Sequence, residues 1–228
     1  LDITPPIGTA LTGYIAPAGA ATGMHDPLYA KALVLENGAT QVALLTVDVL
    51  GLHWPFVTSV RTAIAAATGI PTANVLVTCS HTHAGPATLF LEGCGAVDES
   101  YLAHLHQQLV AVTHSAWTAR QPARFGVGHG QVSEGVHNRR TPGDVIDPEL
   151  GILRVEDETG RLLAVLLNYA CHPTCLTGEN RLFSAEYGGY AAAQIEQATG
   201  AVTLFITGAI GDVGPVSRGW AVLEQIGN

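Results

Sequence analysis

Asn74-Val75-Leu76-Val77-Thr78-Cys79-Ser80-His81-Thr82-His83-Ala84-Gly85-Pro86 is an apolar run that breaks into a turn carrying two imidazoles. Residues 74–80 read as a short strand of the buried type. A second stretch has the same design: Leu162 to Cys171 is apolar and leads into His172-Pro173-Thr174. In each case a cysteine stands within two residues of the histidine. His81 and His83 are two apart, so an extended backbone puts both rings on one face. Neutral imidazole is the commonest protein ligand for zinc. Two strand ends presenting histidine to one crevice imply a metal-assisted hydrolase site. A His-x-His pair also suits loop histidines held by hydrogen bonds, and a lone His172 suits a satisfied core residue. The Gly85-Pro86 turn, which fixes the rings, favours the metal; His172, held extended by Pro173, draws its weight from the parallel with His81.

Outward from these two stretches the chain alternates strands and helices. Tyr29 to Glu36 and Gln41 to Asp48 read as hairpin strands about Asn37-Gly38. Val57 to Thr68 has helical spacing and is closed by Gly69. Tyr101 to Arg120 reads as a helix, with Leu102, Leu105, Leu109, Val112 and Ala116 on one face. Ala123 to Val132, Gly151 to Glu156 and Val202 to Thr207 read as strands, and Glu186 to Thr199 as a helix. Before residue 30, breakers such as Pro5-Pro6, Gly8, Gly13, Pro17 and Gly19 predict loops. The expected class is α/β: a mixed β-sheet with flanking helices and a metal site at strand carboxyl ends. Residues 1–228 read as one domain. Trp220 to Gly227 reads as an opening helix, so the domain is expected to run past Asn228. Leu1 is not a methionine, which implies upstream processing.

At 228 residues and 47% hydrophobic, the chain can bury a substantial core. Its formal net charge is −9 with ten Lys and Arg, of which Lys31 is the one lysine. No basic run exists, which argues against nucleic acid and anionic membrane surfaces. No stretch is long enough to span a bilayer as a helix, and no signal peptide is visible. Oligomeric state and compartment are not legible. Cys79, Cys94, Cys171 and Cys175 are expected to be free thiols. No Gly-x-Ser-x-Gly elbow and no phosphate-cradling glycine motif occurs.

Other polar groups could serve the site. Asp48, at the end of a strand, suits either a partner to a ligating imidazole or a turn acid. Asp212 ends the strand through Thr207 in a similar way. Arg139, in Asn138-Arg139-Arg140, could bind a carbonyl, carboxylate or phosphate, or could simply be solvated. His104 is expected to face solvent. His25 and His129 are weaker site candidates.

Eight segments then converge: Asp2-Ile3-Thr4-Pro5-Pro6, His25 to Ala30, Asp48-Val49-Leu50-Gly51, His81 to Pro86, Asn138-Arg139, His172-Pro173-Thr174, Ser184-Ala185-Glu186-Tyr187 and Gly211-Asp212-Val213. Their order resembles the N-terminal catalytic domain of the neutral/alkaline non-lysosomal ceramidases and their bacterial relatives, from Leu1 to about Pro215. The resemblance implies hydrolysis of an N-acyl amide, a lipid-like substrate, with an active-site Zn2+. It implies that His81 and His172 are metal ligands, and that His83 and Arg139 hold the substrate and polarise its carbonyl. A Glu and a Tyr that complete the family's zinc shell come from a region beyond residue 228. Ceramidases proper carry a serine after Gly-Asp-Val, where this chain has Gly214. That departure leaves two alternatives open: hydrolysis of another ester or amide bond, or a binding module without catalysis.

Overall fold

The computed structural model describes residues 1–15 and 19–228, so Pro17 lies outside the described residues. Its strands are β1 (Gly23–Met24), β2 (Ala30–Asn37), β3 (Thr40–Val47), β4 (Val75–Cys79), β5 (Ala123–Gln131) and β6 (Val136–Asn138). They continue with β7 (Glu149–Asp157), β8 (Leu162–Tyr169), β9 (Leu182–Phe183), β10 (Val202–Thr207) and β11 (Val213–Pro215). The helices are α1 (Trp54–Thr68), α2 (Glu99–Thr118), α3 (Glu186–Thr199) and α4 (Trp220–Gly227). The α/β class with mixed sheets holds. The strands are divided between two principal sheets, ordered β2-β3-β4 and β10-β8-β7-β5, and two small ribbons, β1-β9 and β6-β11.

Each principal sheet joins one parallel pair to antiparallel neighbours. β3 and β4 are parallel while β2 and β3 form the expected hairpin. β10 and β8 are parallel while β7 is antiparallel to both β8 and β5. Side chains alternate across a strand, and here both faces of each sheet are put to use. Ala30, Val34, Ala43, Leu45 and Val47 face a core with Val60, Ile64, Leu105 and Leu109 of α1 and α2. Leu33, Leu35 and Leu44, on the opposite face, pack against Val155, Ala164 and Leu204 of the second sheet. The far side of that sheet carries Val165, Leu167, Tyr169 and Phe205 against Tyr187, Val222 and Leu223 of α3 and α4. The result is four layers: helices, sheet, sheet, helices.

Local chemistry explains several boundaries. Asp98 caps α2 by accepting from the Ser100 and Tyr101 amides. Gly69 and Gly200 close α1 and α3 in left-handed conformations. α1 starts at Trp54, three residues before its apolar pattern, with Pro55 in its first turn. His104 is exposed and the four cysteines are free, as the sequence suggested. No described helix is long and apolar enough to cross a membrane.

The two sheets meet at one end of their parallel strands. Thr207, ending β10, donates its hydroxyl to the carbonyl of Cys79, ending β4, at 2.9 Å. Gly208 N–H bonds the carbonyl of Tyr169, ending β8, at 2.9 Å. The carboxyl ends of β4, β8 and β10 are thereby pinned together, and His81 and His172 follow two of them.

Candidate metal centre

His81 lies two residues beyond β4 and is aimed by the turn after β3. Its amide donates to the carbonyl of Val49 at 3.1 Å, and its ring Nδ1 lies 2.7 Å from the carbonyl of Leu50. A carbonyl only accepts, so Nδ1 carries the hydrogen and Nε2 presents a lone pair. His81 adopts φ 61°, a left-handed conformation that non-glycine residues rarely take.

His172 is built the same way from the other sheet. Its amide bonds the carbonyl of Val213 at 3.0 Å, and its Nδ1 lies 3.0 Å from the carbonyl of Ile210. Its Nε2 is likewise left as a lone pair. Such carbonyl-anchored imidazoles are the usual outer support of metal-ligating histidine.

His83 completes the group. Its Nε2 lies 3.1 Å from Nε2 of His172. One ligand nitrogen from each of His81, His83 and His172 falls within 4.8 Å of the others, an arrangement that could hold a metal ion. Two nitrogens on one tetrahedral zinc stand about 3.3 Å apart, from bond lengths of about 2.0–2.1 Å. The donor set therefore fits a borderline-soft divalent ion with small side-chain adjustments. His83 differs in one respect: its buried Nδ1 lies against the backbone of Gly13 without a well-formed hydrogen bond. Gly13 has φ 101°, and a Cβ there would stand 2.6 Å from that Nδ1. Tyr14 packs edge-on against the His83 ring, with centroids 5.1 Å apart, and donates its hydroxyl to the carbonyl of Leu176.

Burial holds all three imidazoles neutral. Desolvation lowers His81, and it lowers His172 to about 4. It lowers His83 to about 3, with the neighbouring His81 and His172 adding to the effect. The Arg139 charge pushes each of the three the same way. Neutral rings are what a metal requires.

Arg139 reaches the site from the β6-β11 ribbon. Its amide donates to the carbonyl of Asp212 at 2.6 Å, one residue before Val213, which holds His172. The Arg139 Nε bonds the carbonyl of Gly211 at 3.3 Å, and the aliphatic stem lies over Gly214, where a Cβ would stand 3.0 Å from Cδ. The three histidines thus form one cluster, and Arg139 lies near enough for its charge to act on each of them.

Asp48 does not touch an imidazole. Its Oδ2 accepts the Tyr29 amide at 2.9 Å, and its turn serves His81 only through the carbonyls of Val49 and Leu50. Asp212 contributes its backbone carbonyl, while its Oδ2 takes the Asn138 side chain at 3.3 Å. His25 stacks on Trp220, and His129 lies on the exposed strand β5; neither belongs to the cluster.

Sequence reasoning assigned no role to Ser184-Ala185-Glu186-Tyr187, which holds both histidine loops. Thr82 donates to the carbonyl of Ser184 at 2.6 Å, and the Ser184 amide returns to the carbonyl of Ala84 at 3.0 Å. Glu186, 1% exposed and at φ 59°, accepts the amides of Cys175 and Leu176 at 3.1 and 3.0 Å. Tyr187 donates to the carbonyl of Cys171. A buried glutamate at a helix start is the signal that was available. Gly13 and Tyr14 gave none, since they sit in a loop rich in breakers.

An α/β fold carries, at the joined ends of two sheets, a half-buried three-imidazole cluster that could hold a metal ion. The chain belongs to the family described as neutral/alkaline non-lysosomal ceramidase, N-terminal, which it matches over residues 1–221. It is 26% identical to neutral ceramidase A of Dictyostelium discoideum, across 96% of this chain and 35% of that protein. It is 26% identical to the neutral ceramidase of Mycobacterium tuberculosis, across 56% of this chain and 23% of that one. The crystal structure of neutral ceramidase from Pseudomonas aeruginosa has the same fold: TM-score 0.83, 23% identity, 99% of this chain and 41% of that one. The chain thus spans about a quarter to a third of the length of these curated relatives.

Proposed function

We propose that this chain carries a zinc-dependent amide hydrolase site of the ceramidase type, with His81 and His172 as metal ligands and His83 and Arg139 beside the metal. The observation that carries the reading is the pair of imidazoles whose Nδ1 atoms are anchored on the carbonyls of Leu50 and Ile210, leaving two Nε2 lone pairs for one ion. Membership in the ceramidase family supports an N-acyl amide, lipid-like or shorter, as the substrate class.

A zinc ion bound there supplies a Lewis acid and brings the pKa of a coordinated water towards neutrality. His81 and His172 keep their rings fixed through the two carbonyl bonds. His83 makes only a loose contact to Gly13 through Nδ1, and in this reading its Nε2 carries the hydrogen and donates it to the amide carbonyl, whose oxygen gains charge in the transition state. Because His83 stays neutral far below pH 7, it donates as imidazole. Arg139 commits Nε to Gly211 and keeps its terminal N–H groups for the substrate.

The test is a panel of N-acyl amides assayed with the purified protein before and after chelation. Metal-dependent release of fatty acid is expected, restored by zinc. Stoichiometric zinc with no hydrolysis across the panel would leave a metal-binding module and overturn the enzyme reading.

A further inference from the structure

We infer that the substrate of this site bears an anionic group close to its amide, of the carboxylate or sulfonate kind, which is seated on Arg139, Arg140 and Arg218. This rests on the hydrolase reading above and narrows its substrate class to acidic N-acyl amines. The chain has ten Lys and Arg against nineteen Asp and Glu, yet three of the ten stand close enough to act on one another beside the residues that hold His172.

The gathering is built by the backbone. Arg139 and Arg140 both turn Nε onto one acceptor, the carbonyl of Gly211, at 3.3 and 3.4 Å. Two guanidinium groups therefore share one anchor, and among the described residues their terminal N–H groups have no hydrogen-bond partner. Arg218 lies between two tethered residues: Val216, whose amide bonds the carbonyl of Gly135, and Gly219, whose amide bonds that of Cys175. The first tether leads into β6, which delivers Arg139, and the second into the loop after His172.

Among the described residues no carboxylate lies within ion-pair distance of any of the three. Asp212 is the nearby acid, and its Oδ2 is engaged by Asn138. The three charges feel one another: after desolvation, Arg140 and Arg218 are the main influences that lower the pKa of Arg139. Like charges set close together raise the energy of the free protein, and an anion bridging them relieves it. Gly211, which anchors both guanidinium groups, follows Ile210, whose carbonyl holds His172 Nδ1, so the anion seat flanks the metal centre. A purely neutral amide would leave the guanidinium groups without a partner. The absence of a side chain at Gly214 keeps the Arg139 stem in its place, since a Cβ would press on Cδ at 3.0 Å.

The experiment compares N-octanoylglycine with N-octanoylethanolamine, which share an acyl chain and differ in charge. Where turnover occurs, the readout is the ratio of kcat/KM values; where it does not, it is the ratio of Kd values by calorimetry on the same protein. The anionic compound is expected to be favoured about tenfold or more, as suits a charge-assisted bidentate contact. Arg140→Ala and Arg218→Ala should each cut that ratio by about tenfold, while Arg61→Ala on α1 leaves it unchanged. Absent turnover with arginine-dependent binding of N-octanoylglycine would sink the hydrolase reading and keep the anion seat. A ratio near one, or one indifferent to Arg140 and Arg218, would overturn the seat whether or not hydrolysis occurs.

Discussion

Among the described residues His81 and Glu186 are the two non-glycine residues with positive φ, at 61° and 59°. Each such residue costs about 1–3 kcal/mol and persists where its surroundings enforce it. For His81 the enforcing contacts are the carbonyls of Val49 and Leu50, and the return is a ring aimed at His172, with centroids 4.8 Å apart. Removing either anchored imidazole should remove the metal. His81→Ala and His172→Ala are expected to purify with less than about a tenth of the zinc of the parent, by elemental analysis, because a lost ligand is a lost bond to the ion. His83→Gln should retain zinc and lose about a hundredfold or more in turnover, the scale of a lost transition-state donor. Zinc lost with His83 would place that ring on the metal instead. The meeting of the three histidines was legible because short motifs carry imidazole chemistry in sequence. The contacts of His83 with Gly13 and Tyr14 were not, since the partners stand 70 and 69 residues away and no periodicity connects them.

At the scale of elements, the start of α3 holds the two histidine loops in register. Thr82 is fully buried; it donates to Ser184 and accepts the Ala84 amide at 3.0 Å. Thr82→Val keeps the shape but leaves a buried amide and a buried carbonyl unpaired, a cost of about 1–3 kcal/mol. Glu186→Gln replaces one of two accepting oxygens by an amino group facing an amide, with a cost of similar order. Urea denaturation should show both losses with unchanged m-values; an unaffected midpoint in both would mean that the clamp does not stabilise these loops. Most element boundaries were readable, as in the α2 stripe through Leu105 and Leu109. The ribbons β1-β9 and β6-β11 were not, because strands of two or three residues carry no alternation to detect. Their pairing depends on segments far apart in the chain.

Over the whole molecule, the four-layer arrangement follows from strands that are apolar on both faces. That pattern announced buried strands but could not tell a second sheet from a layer of helices, and the sequence reading stopped at one mixed sheet. Only the packing of Leu33, Leu35 and Leu44 on Val155, Ala164 and Leu204 separates the two cases. Closing these layers also encloses Asp48, where desolvation outweighs the Tyr29 amide and raises the carboxyl from the ordinary 3.8 to about 6. A group whose pKa is higher in the folded chain holds its proton more tightly there. Its contribution is full below the unfolded value and is lost as pH rises through about 6. Asp48→Asn keeps an acceptor for Tyr29 and removes the titration. The stability of the parent relative to this variant should therefore fall between pH 4.5 and 7.5 by thermal denaturation, and a constant difference would refute the assignment. The joined ends of β4, β8 and β10 carry the central claim, that this fold makes a metal site from two sheets. Anomalous diffraction at the zinc edge, on crystals of the zinc-loaded protein, tests it most directly. A single peak about 2.0–2.1 Å from Nε2 of both His81 and His172 is the predicted result. A map with no peak between these two rings, in protein shown to contain zinc, would contradict the account.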